Sequence, residues 1–358
     1  MRYDSSFDIN GRALSINDPT YFIADIAANH DGDLERAKAL IWSAKEAGAD
    51  VAKFQHYKAN TIVSDVGFKR FSGQMSHQAS WEKSVHEVYD HYHARDEWTQ
   101  ALIDTCREAE IEFMTTPYDS AAIEQFKSIV AAFKVGSGDV TFHAALKQIA
   151  QTGLPVLLAT GAADMQETTE AVEIILQHNR KICLMQCNTN YTGSLENFRY
   201  VNLNVLKSFA VKYPGMLLGF SDHTPGHSAV LGAVALGARV IEKHYTDDND
   251  RVGPDHSFAL NPTTWREMVD ATRELEHSLG DGVKRIEENE TDTVVIQRRA
   301  LRAARPLEKG TVLSEDHLIA LRPCPRDAVP PSRVENILGK TLATDKGKED
   351  EILWSDLA

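Results

Sequence analysis

Hydrophobic positions repeat with two different periods along the first 280 residues of the chain. Stripes of apolar residues at helical spacing end at a glycine, and short β-branched runs follow them. The stripe that stops at Gly48 contains Leu34, Ala37, Ile41, Ala44 and Ala47. The predicted strands are 21–27, 50–55, 111–116, 131–136, 155–160, 181–187, 217–221 and 240–244. Because strands that alternate with helices form parallel sheets, these eight units predict an α/β fold, a closed (β/α)8 (TIM) barrel.

A doubly wound open sheet is the alternative, but no GxGxxG turn follows the first predicted strand. The pattern changes near residue 280. Segment 281–293 is acidic and is predicted to be a linker, so the barrel domain is assigned to 1–280. Residues 294–358 are short strand-like pieces interrupted by prolines, which predicts a small β-rich domain near the lower size limit for independent stability. The long polar insertion 66–87 is predicted to cover the mouth of the barrel.

Polar residues stand near the carboxyl ends of the predicted strands, where (β/α)8 barrels carry their chemistry. Since successive strand side chains point to opposite faces, the pattern collects one inward set. Its members are Asp25, Lys53, Gln55, Lys134, His223 and His244. Buried lysines need partners, so Lys53 and Lys134 indicate an anionic ligand, although ion-paired scaffolding is the alternative. The Gly-Ser-Gly turn at 136–138 supplies backbone donors for an oxyanion.

His223 and His244 lie at the ends of the seventh and eighth predicted strands. Taken from the residues alone, they are either two metal ligands or two hydrogen-bonded structural histidines. Glu242 and Lys243 are interpreted as a pair between the surface and a helix.

Charge and cysteine content limit the partners. A formal net charge of −14 argues against nucleic acid and anionic membranes as partners. The four cysteines form no CxxC pair, and no apolar run approaches the roughly 18 residues of a membrane span. No signal peptide is visible, so a cytoplasmic protein is predicted.

The ordered set of motifs closely resembles the N-acetylneuraminate (sialic acid) synthase family, the nonulosonate synthases. The matching stretches are 21–33, 47–55, Thr-Thr-Pro-Tyr at 115–118, Phe-Lys-Val-Gly-Ser-Gly at 133–138, Ser-Asp-His-Thr at 221–224, Glu-Lys-His-Tyr-Thr at 242–246 and Gly-Pro-Asp-His at 253–256. Residues 294–358 resemble the family's C-terminal antifreeze-like (SAF) domain, including Leu-Arg-Pro at 321–323.

The resemblance implies a reaction in which phosphoenolpyruvate condenses with the aldehyde of an unphosphorylated N-acyl hexosamine. The products are a nine-carbon 2-keto-3-deoxy sugar acid and phosphate, formed by C–O cleavage of phosphoenolpyruvate. It also implies a divalent metal on His223 and His244, with Mn²⁺ first and Mg²⁺ or Co²⁺ as alternatives. A domain-swapped homodimer, in which each SAF domain caps its partner's barrel, is implied as well.

The resemblance also assigns residue roles. The implied phosphoenolpyruvate contacts are Lys53, Thr116, Lys134, Ser137, Thr189 and Ser221. The implied sugar contacts are Asp25, Gln55, Tyr118, Asp139, Tyr191, Asp255 and Arg322. The implied catalytic residues are Asp25, Lys53, Lys134, His223, His244 and Asp255.

Several positions depart from the family pattern. Asp25 and Asp139 stand where the family has Glu, Ala159 where it commonly has Ser, and Thr189 where it has a phosphate-contacting Asn. Some of these changes cluster in the sugar half of the pocket, which favours an acceptor other than N-acetylmannosamine itself. Two alternatives remain: a related phosphoenolpyruvate–aldose condensation with an eight-carbon product, and a sugar-binding homologue that has lost catalysis.

Overall fold

The computed structural model describes residues 2–70, 78, 81–191 and 193–358, which form two compact units, 1–280 and 281–358. The first unit is built around a closed barrel of eight parallel strands. These strands are β3 (Tyr21–Asp25), β4 (Val51–His56), β5 (Glu112–Pro117), β6 (Phe133–Val135), β7 (Val156–Ala159), β8 (Ile182–Cys187), β9 (Leu217–Asp222) and β10 (Ala238–His244). Each predicted strand overlaps one of them, and the predicted barrel is confirmed.

A short hairpin closes one end of the barrel. Strands β1 (Ser6–Ile9) and β2 (Arg12–Ser15) pair antiparallel. Phe7, Ile9 and Leu14 of this hairpin are buried and belong to the same apolar cluster as inward residues of the barrel strands. This hairpin closes one end of the barrel, which we call the floor. Because the floor is apolar, the polar residues of the interior lie toward the carboxyl ends of the strands.

Helices form the outer layer of the first unit. They are α1 (Leu34–Glu46), α2 (Ala59–Ile62), α3 (Asp65–Arg70), α4 (Val85–Tyr92), α5 (Thr99–Glu108), α6 (Ser120–Phe126), α7 (His143–Gln151), α8 (Met165–Leu176), α9 (Val205–Lys212), α10 (Ser228–Ala235) and α11 (Pro262–Leu279). The start of α1 is capped by Asp33, whose carboxylate accepts from the N–H groups of Glu35 and Arg36. Beyond its end, Gly48 takes a φ of 98°, which explains the glycine at this position.

The predicted insertion 66–87 contains more helix than expected. Helix α3 occupies its start and α4 begins at Val85, while residues 71–77, 79 and 80 lie outside the described part of the chain. Gln78 and Trp81 line a pocket at the barrel mouth, so the described part of the insertion does reach that mouth.

The second unit holds helix α12 (Thr291–Gln297) and an antiparallel pair, β11 (Ala300–Ala303) with β12 (Leu318–Leu321). A small separate core includes Leu301, Val329 and Ile352. The predicted linker 281–293 belongs to this unit and runs into α12. In the described part of the chain, no helix has the length and apolarity required to cross a membrane.

Candidate active site

Neighbouring strand ends bring the predicted polar residues together. In the pairing of β3 with β4, Asp25 lies opposite Lys53. In the pairing of β10 with β3, His244 lies opposite the same Asp25. Gln55 on β4 lies opposite Thr116 on β5. The barrel register therefore places one carboxylate between a lysine and a histidine at the carboxyl ends of the strands.

Two buried lysines share one buried glutamate inside the barrel. Lys134 Nζ lies 3.1 Å from Glu242 Oε1, and Lys53 Nζ lies 3.9 Å from Glu242 Oε2. The Ser221 hydroxyl donates to Glu242 Oε1 at 3.0 Å. Burial disfavours the charged form of Glu242, but Lys134 and Lys53 hold its pKa below the ordinary value. Glu242 is therefore an ionised carboxylate between two ammonium groups.

The interpretation of Glu242 and Lys243 as a surface pair is wrong. Lys243 points to the opposite face, where its Nζ lies 2.6 Å from Asp222 Oδ2, and both side chains are 1% exposed. Strand alternation had aligned Glu242 with His244. The lysines that face Glu242 stand on β4 and β6, far away in sequence, so no spacing pointed to the contact.

Asp25 lies between Lys53 and His244 and contacts both. Its Oδ2 lies 2.8 Å from Lys53 Nζ, accepts from Gln55 Nε2 at 3.0 Å and lies 3.8 Å from His244 Nε2. Lys53 also donates to the Thr116 hydroxyl at 3.2 Å. Burial would lower the pKa of Lys53, but Asp25 and Glu242 raise it above the ordinary value, so Lys53 carries its charge.

His223 and His244 lie side by side, with 5.4 Å between ring centroids. His223 Nδ1 lies 2.9 Å from the Asn188 carbonyl oxygen, so Nδ1 donates and the lone pair remains on Nε2. His244 Nδ1 is buried without a hydrogen-bond partner among the described residues, 3.7 Å from Asp255 Oδ2. Burial holds the pKa of His244 well below its ordinary value, which leaves a neutral imidazole with an unsatisfied nitrogen.

This pair fits a divalent metal of the Mn²⁺ type, for which imidazole is a suitable ligand. Burial disfavours the charged form of His223, but Cys187 and the Asn188 carbonyl raise its pKa, so a metal would compete with a proton there. Across residues 2–70, 78, 81–191 and 193–358, no group of three or more His, Cys, Asp and Glu is arranged to hold a metal. Water and substrate would supply the remaining ligands.

A small cradle lies between the turns that follow β6, β7 and β8. The Gly161 N–H donates to the Ser137 hydroxyl at 2.9 Å. A Cβ added at Gly161 would lie 1.9 Å from Thr189 Oγ1 and 2.9 Å from Ser137 Oγ. Only glycine fits between these two hydroxyls. Gly161 was not predicted from the sequence. The available signal was its position two residues after the buried strand β7.

An aromatic pocket lies at the mouth of the barrel. It contains four of the predicted sugar contacts, namely Gln55, Tyr118, Tyr191 and Asp255, and it also contains His244. The wall that sequence reasoning missed consists of Tyr57, Ile62, Trp81, Val88, Tyr89 and Tyr92. Much of this wall comes from α2 and α4, which follow β4. The signal available was the run Val-Tyr-Asp-His-Tyr at 88–92, which is aromatic on one helical face.

Two carboxyl groups that follow barrel strands, Asp139 and Asp255, have raised pKa values. Burial, with the nearby charge of Asp25, raises the pKa of Asp255 to about 7. Asp255 Oδ2 also accepts from the Ala28 N–H at 3.3 Å. Burial raises the pKa of Asp139, half-buried in the turn after β6, to about 6. Of the predicted sugar contacts, Asp25 and Asp139 do not line the aromatic pocket, and Arg322 is an exposed residue of the second unit.

The fold and the site together define a (β/α)8-barrel protein with paired lysines and paired histidines at the carboxyl ends of its strands. The family model described as the NeuB family matches residues 40–284, and the SAF domain model matches residues 298–358. The chain therefore belongs to the NeuB family and carries a SAF domain.

Relatives with assigned names are similar over nearly their whole length. The N,N'-diacetyllegionaminic acid synthase of Campylobacter jejuni is 34% identical over 93% of this chain and 98% of its own. The protein of the same name from Legionella pneumophila is 32% identical over 94% of both chains. The crystal structure of spore coat polysaccharide biosynthesis protein SpsE from Bacillus subtilis has a TM-score of 0.65 at 30% identity and covers 99% of both chains. The chain is an enzyme of the synthase class that these relatives represent.

Proposed function

We propose that this enzyme condenses phosphoenolpyruvate with the open-chain aldehyde of an unphosphorylated N-acyl hexosamine. The products are a nine-carbon 2-keto-3-deoxy sugar acid of the sialic acid type and inorganic phosphate. The observation that carries the proposal is the buried Lys53–Glu242–Lys134 group. Asp25 connects this group to the histidine pair, because it contacts both Lys53 and His244.

The lysine group supports binding of a multiply charged anion. Glu242 partly neutralises Lys53 and Lys134 in the free enzyme and so makes their burial tolerable. The phosphate and carboxylate of phosphoenolpyruvate are then bound by these lysines together with Thr116 and Ser221. The Ser137, Gly161 and Thr189 cradle adds donors for one end of the same substrate.

The reaction makes one C–C bond and breaks one C–O bond. C3 of phosphoenolpyruvate attacks the aldehyde carbon, and the aldehyde oxygen takes a proton. Water adds at C2, and the C2–O bond to phosphate breaks, which leaves a ketone and releases phosphate. Asp255 is the proposed proton donor to the aldehyde oxygen, because its pKa of about 7 keeps it partly protonated near neutral pH. Asp25 and Gln55 orient the aldehyde beside His244.

His223 and His244 are the proposed metal ligands, with Mn²⁺ first and Mg²⁺ or Co²⁺ as alternatives. When bound, the metal supplies Lewis-acid polarisation of the aldehyde oxygen. The unsatisfied nitrogen of His244 supports this assignment, since a buried imidazole nitrogen without a partner is unfavourable until it binds something.

The aromatic pocket supports an acceptor without phosphate. Among the described residues that line it, none is a lysine or an arginine. Tyrosine and tryptophan rings, with Ile62 and Val88, suit methyl and acetamido groups better than a phosphate. We therefore propose a 2,4-diacetamido-2,4,6-trideoxyhexose as the acceptor, in preference to N-acetylmannosamine. The names of the Campylobacter and Legionella relatives support this choice.

The test is phosphate release from phosphoenolpyruvate with Mn²⁺ and a panel of N-acyl amino sugars, each with and without its 6-phosphate where one exists. We expect chelator-sensitive release with an unphosphorylated diacetamido sugar. Lys134→Met is the variant expected to lose phosphoenolpyruvate binding. Turnover that needs a phosphorylated acceptor would contradict the proposed acceptor, and absence of phosphoenolpyruvate binding would contradict the reaction itself.

We further propose a cytoplasmic homodimer in which Arg322 of one subunit reaches the acceptor bound by the other. The family's SAF domain and the small core of the second unit support this arrangement. The four free cysteines support a reducing compartment. Mixing inactive His244→Ala with Arg322→Ala subunits tests the dimer, because a hybrid would regain one intact site. Mixtures no more active than the Arg322→Ala protein alone would contradict it.

A further inference from the structure

A buried ion pair lies directly behind the two histidines, on the outer face of the barrel. Lys243 precedes His244 on β10, and Asp222 precedes His223 at the end of β9. Lys243 Nζ donates to Asp222 Oδ2 at 2.6 Å, and both side chains are 1% exposed. Because their side chains point away from the barrel interior, neither residue takes part in the chemistry described above.

The pair also holds the backbone around His223. Asp222 Oδ1 accepts from the Thr224 N–H at 2.9 Å and from the Thr224 hydroxyl at 2.8 Å. Lys243 Nζ donates to the Thr224 carbonyl oxygen at 2.6 Å. The ammonium group next to His244 is thus bonded to both residues that flank His223.

The sheet itself does not position His223. The register of β9 with β10 pairs Asp222 with Lys243 and goes no further, so His223 lies one residue beyond the ladder. On the barrel side, the His223 ring is hydrogen-bonded to the Asn188 carbonyl, and His244 Nδ1 has no hydrogen-bond partner among the described residues. His244 is held in the ladder with Asp25, so the outer contacts supply part of the position of the His223 backbone relative to it.

We propose that Asp222, Thr224 and Lys243 form a positioning brace that sets the spacing and orientation of His223 and His244 for metal binding. The inference rests on the proposed function in one respect, the metal on these histidines. A buried ion pair is a poor source of stability compared with apolar packing, and its better-attested use is to specify one arrangement. Partners of metal-ligating residues commonly affect metal affinity in the same way.

The experiment measures Mn²⁺ affinity of the full chain by equilibrium dialysis with electron paramagnetic resonance, without substrates. Lys243→Met removes the contacts of the ammonium group with Asp222 and Thr224. Asp222→Asn keeps a side chain of the same size that can accept from the Thr224 N–H, but it removes the negative charge. We expect Lys243→Met to weaken Mn²⁺ binding by about 10- to 100-fold, and Asp222→Asn by less. Lys243→Arg, which keeps the charge, is expected to recover part of the loss. The kcat should fall, while the KM for phosphoenolpyruvate stays within about twofold of the unmodified protein.

Asp50→Asn is the matched control. Asp50 is paired with Arg12 and accepts from the Phe22 N–H at 2.8 Å, at the floor end of the same barrel. It should lower the melting temperature without changing Mn²⁺ affinity. Folded Lys243→Met or Asp222→Asn protein with unchanged Mn²⁺ affinity would overturn the brace and leave the proposed reaction standing. If Lys243→Met does not fold, Asp222→Asn and Lys243→Arg decide alone. An unmodified protein that binds no Mn²⁺ would overturn both the metal centre and the brace.

Discussion

The two ends of the barrel interior differ sharply although the same strands build both. At the floor, Phe7, Ile9 and Leu14 pack against apolar strand residues. The charged pair there, Arg12–Asp50, is partly exposed, and its guanidinium lies over the Tyr21 ring. Further toward the carboxyl ends of the strands, Lys53 and Glu242 are as buried as the floor residues but carry charges. Apolar packing at one end gives stability, and the charged end is tolerable only because its groups pair with one another.

Stability and chemistry are therefore separated along the strands. Charges at the mouth neutralise one another in the free protein, so their arrangement is available to a ligand that offers better partners. The floor offers no comparable set of charged partners, because Phe7, Ile9 and Leu14 are packed in an apolar cluster. Substitutions at the two ends should therefore have opposite consequences.

The largest effect is expected from His244→Ala at the mouth. It removes a buried imidazole with an unsatisfied nitrogen, so folding should be retained while turnover is abolished. Phosphate release and a thermal melt on the same sample check this. Gln177→Ala, at the C-terminal end of helix α8 on the first unit's outer layer, is the control. Undiminished turnover of folded His244→Ala would remove the metal assignment.

The next effect is expected from Gly161→Ala. The added methyl group would collide with the Thr189 hydroxyl and close the anion cradle. We expect the KM for phosphoenolpyruvate to rise by at least about tenfold, or about 1.4 kcal/mol of binding free energy. Gly138→Ala is the control, since a Cβ there meets no atom of the described residues within 4 Å. Equal kinetics for the two variants would show that the cradle is not used.

Leu14→Ala at the floor is expected to lower stability and to leave turnover unchanged. Leu14 is fully buried, so its truncation should lower the free energy of unfolding by about 3 kcal/mol. The folded fraction should keep its kcat, because the mouth is untouched. Chemical denaturation gives the first quantity, and Ile16→Ala, at a half-exposed site after the hairpin, is the control. A large fall in kcat of the folded Leu14→Ala protein would break the separation of the two ends.

The smallest effect concerns pH. Burial raises the pKa of Asp139 from 3.8 to about 6, so the folded state prefers the neutral carboxyl. This preference is fully present below the ordinary pKa and is lost as the pH rises through about 6, because ionisation then favours the unfolded chain. Asp139→Asn should therefore be more stable than the unmodified protein by about 1 kcal/mol at pH 8, after allowance for partial exposure, and no more stable at pH 4. Thermal melts at both pH values check this, and an equal difference at both would contradict the assigned cause.

Sequence periodicity predicted the barrel strands and the inward faces of several of them. Glycine-terminated helical stripes located four of the eight barrel strands, and short apolar runs located the other four. Strand alternation placed Lys53, Lys134, His223 and His244 toward one cavity. These predictions succeed because both rest on local geometry, with repeats of 3.6 and 2 residues. The resemblance to the family then suggested roles for those side chains.

Other features required contacts between distant segments. Glu242 was taken for half of a surface pair, since its true partners come from β4 and β6. Gly161 matters only because Ser137 and Thr189 converge on it from two other turns. The aromatic wall was missed because Tyr57, directly after β4, meets Tyr89 of helix α4 only at the mouth.

The sequence alone determined the order of the barrel strands, the inward face of the strands that carry polar residues and the kinds of polar residue at their ends. Only the tertiary structure decided which of these residues meet: Lys134 with Glu242, Asp25 with His244, and Lys243 with both neighbours of His223. The physical reason is that alternation along a strand is a property of the local backbone. Partners across a closed barrel depend on its register and on which side chains share one buried volume.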